Sequence, residues 1–152
     1  MTRAEKAEQY FYEGYACSQA VALAFVDLTE VSFSDMCKLS LPLGGGLARL
    51  RITCGAITGM ALIVGLLFSK DEASEENKLA IYERVRVLTD KFIAEKGTIN
   101  CKELLEAASL EVEIGGAPET RTNEYYKKRP CGKIVYLAAK LLEEYLEENY
   151  DK

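Results

Sequence analysis

The chain has 152 residues, a formal net charge of −5 and no histidine. This length is typical of one domain, which can bury a core without disulfide bonds. The acidic balance gives no electrostatic reason to bind nucleic acid, and the lack of histidine excludes histidine-based triads, histidine zinc ligands and histidine-ligated haem. The chemically distinctive residues are five cysteines: Cys17, Cys37, Cys54, Cys101 and Cys131.

The N-terminal residues are charged and lack the apolar stretch of a secretory signal, so we expect a cytoplasmic protein with reduced thiols. Residues 52–69 carry no charge over 18 positions, the lower limit for a membrane span. No positive-inside bias or aromatic belt flanks them, and the other segments need an apolar partner. We therefore expect a buried helix here and no membrane span.

Apolar residues recur at helical spacing along the chain, and no segment alternates as a strand does. We predict helices at residues 3–13, 17–28, a short one capped by Ser32 or Ser34 and ending at Leu39, 53–68, 71–96, 100–108, and from 130 into the acidic end at 143–151. The fold class is therefore all-α: a single-domain bundle of about five or six helices over residues 1–152, around a buried, glycine-containing central helix at 53–68.

Two of these segments carry specific expectations. The long amphipathic helix should end at Gly97 and direct Ile81, Tyr82, Val85, Leu88 and Phe92 inward. The polar segment 110–128 is expected to be a long loop that could contain a turn of helix. Loops of this length in a compact domain are usually functional or disordered.

Four cysteines fall in the first turn of a predicted helix. Cys17 opens the second helix, while Cys54, Cys101 and Cys131 follow Thr53, Asn100 and Pro130, which are plausible capping or first-turn residues. Unpaired N–H groups and the helix dipole favour a thiolate at such positions, so we expect lowered thiol pKa values. Nearby cations should add to this effect: Arg49, Arg51, Lys102, Lys127, Lys128 and Arg129.

The alternative is that these cysteines are small buried hydrophobes, and this interpretation is favoured for Cys37, which lies inside a helix without a cap. The sequence contains no CxxC and no CxxCH, so it predicts no thioredoxin-type site, zinc ribbon or c-type haem attachment. Only the fold can bring the four sulfurs together.

These residues resemble the C_GCAxxG_C_C family of redox-active proteins. The resemblance rests on Cys17, the run Cys54-Gly55-Ala56-Ile57-Thr58-Gly59, Cys101 and Cys131, and it extends from Tyr10 to Leu142, including Gly44-Gly45-Gly46. The family label places glycine before the second cysteine, whereas this chain has Thr53 there and reads CGAxxG. The resemblance implies a redox role for the four cysteines and a link to membrane transporters; it names neither substrate nor redox partner.

The glycines around Cys54 have two interpretations. Gly44-Gly45-Gly46 lacks the ending of a phosphate-binding loop, so it more simply permits a close approach to the Cys54 helix. Gly55 and Gly59, extended by Ala61 and Gly65, would let a neighbouring helix pack closely. Alternatively, Gly55 and Ala56 expose N–H groups beside the Cys54 sulfur, to which Thr58 could also donate, with Arg49 in support.

Three functions remain open. The first is a cytosolic redox protein, which as an enzyme would be an oxidoreductase, that uses Cys17, Cys54, Cys101 and Cys131 for thiol/disulfide exchange or electron transfer, with Cys54 as the favoured nucleophile. The second is an iron–sulfur or thiolate-bound metal module with the same four cysteines as ligands. The third is a helical interaction protein whose thiols are inert. The apolar last helix makes a homodimer plausible.

Overall fold

The computed structural model describes residues 1–150. The last two residues, which the single-domain prediction for 1–152 includes, and the end of the acidic stretch 143–151 lie outside the described residues. Eight α-helices occur in the described chain: α1 (Arg3–Tyr12), α2 (Cys17–Leu23), α3 (Phe33–Ser40), α4 (Gly55–Phe68), α5 (Glu75–Lys96), α6 (Cys101–Ala107), α7 (Asn123–Lys128) and α8 (Cys131–Asn149). The all-α class is confirmed.

The predicted bundle of five or six helices was too small, and the seven helical segments predicted along the sequence are one fewer than the eight α-helices in the described chain. A single-turn helix, α7, forms within the segment expected to be a loop, and Thr122 caps it by accepting a hydrogen bond from the Tyr125 N–H. The predicted helix 17–28 ends at Leu23 and is followed by a 3₁₀ turn, Val26–Leu28. Short elements of this kind have little periodicity from which a sequence can predict them.

Helix ends follow the capping residues in the sequence. Ser32 caps α3 by accepting from the Asp35 N–H, which decides between the two candidate serines. Ser74 caps α5 in the same way, so this helix begins at Glu75 instead of 71. Gly97, with φ 84°, ends it as predicted, because the left-handed conformation is readily adopted by glycine.

The centre of the core is the contact between α2 and the first half of α4. A Cβ added at Gly59 would lie 2.6 Å from the Ser18 carbonyl oxygen, so the two backbones approach closely because this residue is glycine. The predicted extension of this small-residue face to Gly65 is wrong, since a Cβ there would meet no described atom within 4 Å. Helices α1 and α8 complete the core with Phe11, Val135 and Leu142.

The buried face of α5 is narrower than predicted. Leu88 and Phe92 are fully buried, whereas Ile81 and Val85 are only partly buried and Tyr82 is 55% exposed. Helix α5 contacts α4 and α8, and its two buried residues lie in its second half. Its first half therefore lies at the surface, although its sequence is amphipathic.

The uncharged segment 52–69 contributes a helix of 14 residues, α4. No helix in residues 1–150 has both the length and the apolar character needed to cross a membrane.

Candidate functional site

Four helices begin around one cavity of about 330 Å³, and each brings a cysteine to it. Cys17, Cys101 and Cys131 are the first residues of α2, α6 and α8, and Cys54 directly precedes α4. Cys54 occupies the capping position that we had expected for Thr53. The fifth cysteine, Cys37, lies in α3 and packs, partly buried, against the core.

A short antiparallel pairing joins the segments that precede α4 and α6. The Cys54 N–H donates to the Ile99 carbonyl at 2.8 Å, and the Cys101 N–H donates to the Ile52 carbonyl at 2.6 Å. Thr53 and Asn100 form an isolated bridge between these bonds. Two cysteines 47 positions apart are thereby fixed on neighbouring backbones.

Two glycines make room for the sulfur-bearing side chains. A Cβ at Gly55 would collide with Cys17 Sγ, and a Cβ at Gly46 would lie 2.7 Å from Cys101 Cβ. These distances are shorter than van der Waals contact, so any larger residue would displace the cysteine. The prediction that the glycine run permits a close approach is confirmed, and the approach is to Cys101 as well as to α4.

The wall formed by residues 45–49 has an unusual backbone. Five consecutive residues have positive φ angles: Gly45 (68°), Gly46 (72°), Leu47 (72°), Ala48 (47°) and Arg49 (61°). Each non-glycine residue in this conformation costs roughly 1–2 kcal/mol. Backbone strain of this kind is concentrated at functional sites. Here the strained segment places Arg49 in the lining of the cavity.

The thiols of Cys17, Cys54 and Cys131 have raised pKa values instead of the lowered ones that their helix positions predict. Burial, followed by the charge of Cys101, raises the pKa of Cys17, although the N–H groups of Gly45 and Ser18 oppose the shift. Burial raises the pKa of Cys131 to about 12, with the Cys17 charge adding to it. This prediction was wrong because closure of the cavity and proximity of the thiols outweigh the backbone donors.

The pKa of Cys54 is also strongly raised. Burial and the charges of Cys17, Cys131 and Cys101 raise its pKa well above the ordinary value, and the Ala56 N–H acts against them. The prediction for Ala56 is therefore supported, whereas Thr58 donates to the Gly55 carbonyl at 3.2 Å instead of to sulfur.

Arginine side chains reach the cavity from two segments. Arg49 ends the strained wall and Arg51 lies two residues beyond it. Arg51 Nη1 donates to Cys101 Sγ at 3.8 Å, so this cation contacts Cys101 and not Cys54 as expected. Arg121 and Arg129 come from the segment around α7, and both oppose the raised pKa of Cys131. Lys102, Lys127 and Lys128 are instead exposed to solvent.

Sequence reasoning missed Arg121. Its guanidinium donates to the Phe11 and Tyr15 carbonyls at 3.1 and 3.2 Å and stacks over the rings of Phe11 and Tyr125. It therefore ties the segment 110–128 to the end of α1 beside the cavity. The length and polarity of that segment were the available signal, and they did not indicate which residue mattered.

The sequence also offered the four cysteines as ligands of a metal ion or an iron–sulfur cluster. Within residues 1–150, no three cysteine, aspartate or glutamate side chains form a group that could hold a metal ion. The four-cysteine ligand set considered from the sequence stays a prediction.

Fold and site together define an all-helical protein with four cysteines and four arginines around one cavity. Residues 15–145 match the family described as "Putative redox-active protein (C_GCAxxG_C_C)". The chain belongs to this family, as its cysteine and glycine pattern suggested. Comparison with curated proteins and with solved structures gave no match.

Proposed function

We propose that this is a thiol–disulfide redox protein in which the four cavity cysteines are the reactive groups. The observation that carries this proposal is the convergence of four thiols, from the starts of four helices, on a single cavity. The redox description of the family supports it. Each pair of thiols that forms a disulfide releases two electrons and two protons, so the cavity can hold up to four electrons.

Cys101 is our candidate for the attacking thiol. Disulfide exchange requires a thiolate, and a guanidinium next to the sulfur stabilises the negative charge that develops on it. Arg51 provides this contact to Cys101. Cys54, which the sequence favoured, is a poor first nucleophile because burial and three neighbouring thiols raise its pKa well above the ordinary value.

Cys17 is our candidate for the resolving thiol. Its charge is the largest thiol contribution to the raised pKa values of both Cys54 and Cys131, and the Cys101 charge raises its own pKa. The charge of Cys17 therefore interacts with that of each of the other three thiols. In the proposed exchange, Cys101 attacks one sulfur of an oxidised disulfide and releases the first thiol; Cys17 then attacks the Cys101 sulfur, forms the internal disulfide and releases the second.

The test is a redox titration of the reduced protein, prepared without oxygen, in dithiothreitol buffers of increasing potential. Free thiols are counted and disulfides are mapped by mass spectrometry. We expect two thiols, Cys17 and Cys101, to be lost first, with Cys37 remaining free. The variants C17S and C101S should each abolish this first step, whereas C37S serves as the matched control and should keep it.

Two results would overturn the proposal. One is a protein whose cavity thiols all stay free across the titration, which would leave a helical interaction protein with inert cysteines. The other is a preparation that contains iron and sulfide and loses its colour in the fourfold cysteine variant, which would identify a cluster protein. A cytoplasmic location, which the sequence favours, would return the thiols to the reduced state between cycles.

A further inference from the structure

The charge of the cavity is opposite to that of the chain. Among the described residues that line it, the charged ones are Arg49, Arg51, Arg121, Arg129 and Glu119, four cations and one anion. The chain as a whole carries a formal net charge of −5. A concentration of cations in one cavity of an acidic protein therefore needs a specific explanation.

Among the residues that the structure describes, one of these four cations has a carboxylate partner in the cavity. Arg129 pairs with Glu119 at 2.9 Å. Arg49 and Arg51 lie near enough to contribute to the lowered pKa of Glu119, but less than Arg129 does. The Glu119 carboxylate is thus already paired with Arg129.

Arg49 and Arg51 are the unbalanced pair. Arg51 is only 8% exposed, and its Nε is satisfied by the Glu113 carbonyl, a neutral partner. Arg49 Nε is buried, and within residues 1–150 it has no hydrogen-bond partner. Burying guanidinium nitrogens without a compensating anion is costly, and the strained backbone at 45–49 adds to that cost. Both costs are understandable if the pair receives an anion from outside.

The remaining walls indicate what accompanies the anionic group. Apolar side chains line much of the cavity, including Leu41, Leu104, Leu105 and Ile134. Its volume of about 330 Å³ is at the lower end of the range for small-molecule sites. A small organic molecule fits this combination better than a hydrated inorganic ion, which would leave apolar surface uncovered.

We propose that the cavity binds a small organic disulfide that carries carboxylates, with a carboxylate held by Arg49 and Arg51 and its sulfurs next to the cysteines. This substrate class rests on the proposed function, because the organic disulfide is the oxidant that the proposed thiol–disulfide exchange requires. Cys101 attacks one substrate sulfur, the substrate's S–S bond breaks, and one carboxylate-bearing thiol leaves with a proton. Cys17 then displaces the second thiol, so that two protein thiols are oxidised as one disulfide is reduced.

Charge preference is tested first with alkylating reagents, since alkylation needs no disulfide chemistry. The reduced protein is treated separately with iodoacetate, an anion, and iodoacetamide, its neutral counterpart, and labelling of each cysteine is followed by mass spectrometry. Cys37, outside the cavity, is the internal reference. For each cysteine we divide the rate with iodoacetate by the rate with iodoacetamide. We expect this ratio to be about tenfold higher at Cys101 than at Cys37.

Arginine variants connect this ratio to the proposed contacts. In R49Q and R51Q the normalised ratio should fall severalfold, while R49K, which keeps the charge, should retain most of it. The control R86Q removes an exposed arginine of α5 and should leave the ratio unchanged. Circular dichroism of each variant checks that it is folded.

Disulfide reagents then test the substrate class. A dianionic aromatic disulfide, 5,5′-dithiobis(2-nitrobenzoate), should oxidise the cavity thiols faster than neutral 2,2′-dithiodipyridine after normalisation to Cys37, and dicationic cystamine should be slowest. An equal or reversed order, or a ratio unaffected in R49Q and R51Q, would contradict the anionic substrate. If the alkylation preference holds but no internal disulfide forms with any reagent, the proposed function fails and the anion site remains.

Discussion

Gly55 and the sulfur of Cys17 occupy adjoining space, and a single added methyl group at Gly55 would overlap Cys17 Sγ. The first residue of α4 thereby controls where the first residue of α2 can place its thiol. In a four-thiol cavity, this contact makes a glycine part of the reactive geometry, although it has no functional group of its own.

The variant G55A should therefore disturb both stability and reactivity. We expect it to lower the free energy of unfolding by about 1–3 kcal/mol, the usual cost of overpacking, and to change the alkylation rate of Cys17. Urea unfolding and mass-spectrometric labelling measure the two effects. The matched control is G65A in the same helix, where a Cβ would meet no described atom within 4 Å. It should instead gain about 0.5–1 kcal/mol from reduced backbone entropy, so an equal response of both variants would contradict the contact.

The raised thiol pKa values predict that the reduced protein loses stability in alkali. The unfolded chain should release the Cys131 proton near the ordinary pKa of 9.0, whereas the folded protein retains it until about 12. Between these values the unfolded state binds fewer protons, so raising the pH favours unfolding. The decline in unfolding free energy from pH 9 upward, measured with urea, should be shallower in C131A than in wild type.

Other groups also titrate in this range, including tyrosines such as Tyr125, whose pKa is raised by burial. Comparison with C37A separates them, because it keeps the cavity thiols and should show the wild-type decline. Identical slopes in C131A and C37A would show that Cys131 is not held as a neutral thiol.

Much of the scaffold could be predicted because it depends on local signals. The bounds of α1 and α8, the stop at Gly97 and the cap at Asn100 lie within a few positions of residues that favour helix ends in the local sequence. The placement of four cysteines at helix starts is local in the same sense, and so it could be predicted without knowing the fold.

The parts of the site that were mispredicted depend on contacts distant in sequence. The thiol pKa values reflect burial by four helices, so an argument from one helix terminus gave the wrong sign for Cys17, Cys54 and Cys131. Arg51 contacts Cys101 across the Thr53–Asn100 bridge, although it is close in sequence to Cys54. The left-handed run at 45–49 includes leucine, alanine and arginine, which do not signal that conformation.

The left-handed conformation of residues 45–49 leads to a prediction at Ala48, which is exposed and has φ 47°. Relief of left-handed strain, less the entropy that glycine loses on folding, should stabilise A48G by about 0.5–1 kcal/mol. The control A80G, at an exposed position within α5, should lose roughly 1 kcal/mol instead. Thermal unfolding of the two variants gives the comparison, and destabilisation of both would contradict the strained conformation.

Arg121 joins the segment around α7 to the rest of the molecule. It donates to the Phe11 and Tyr15 carbonyls and lies 4.5 Å from the Phe11 ring centroid and 4.9 Å from that of Tyr125. Its replacement by glutamine removes the charge, the stacking and the geometry of the two-carbonyl contact. We therefore expect local opening at residues 110–122 in R121Q, with the helical core retained.

Limited proteolysis and thiol labelling measure this opening. Cleavage within 110–122 should accelerate severalfold in R121Q, and iodoacetamide should label Cys131 and Cys17 faster relative to Cys37, because both cavity thiols gain access to water. R86Q is again the control, since Arg86 lies exposed on α5. Unchanged cleavage together with unchanged labelling would mean that the segment 110–122 is held in place without Arg121. Its position beside the cavity would then depend on its remaining contacts. The next contact to test is the hydrogen bond from the Gly115 N–H to the Arg49 carbonyl, at 2.8 Å.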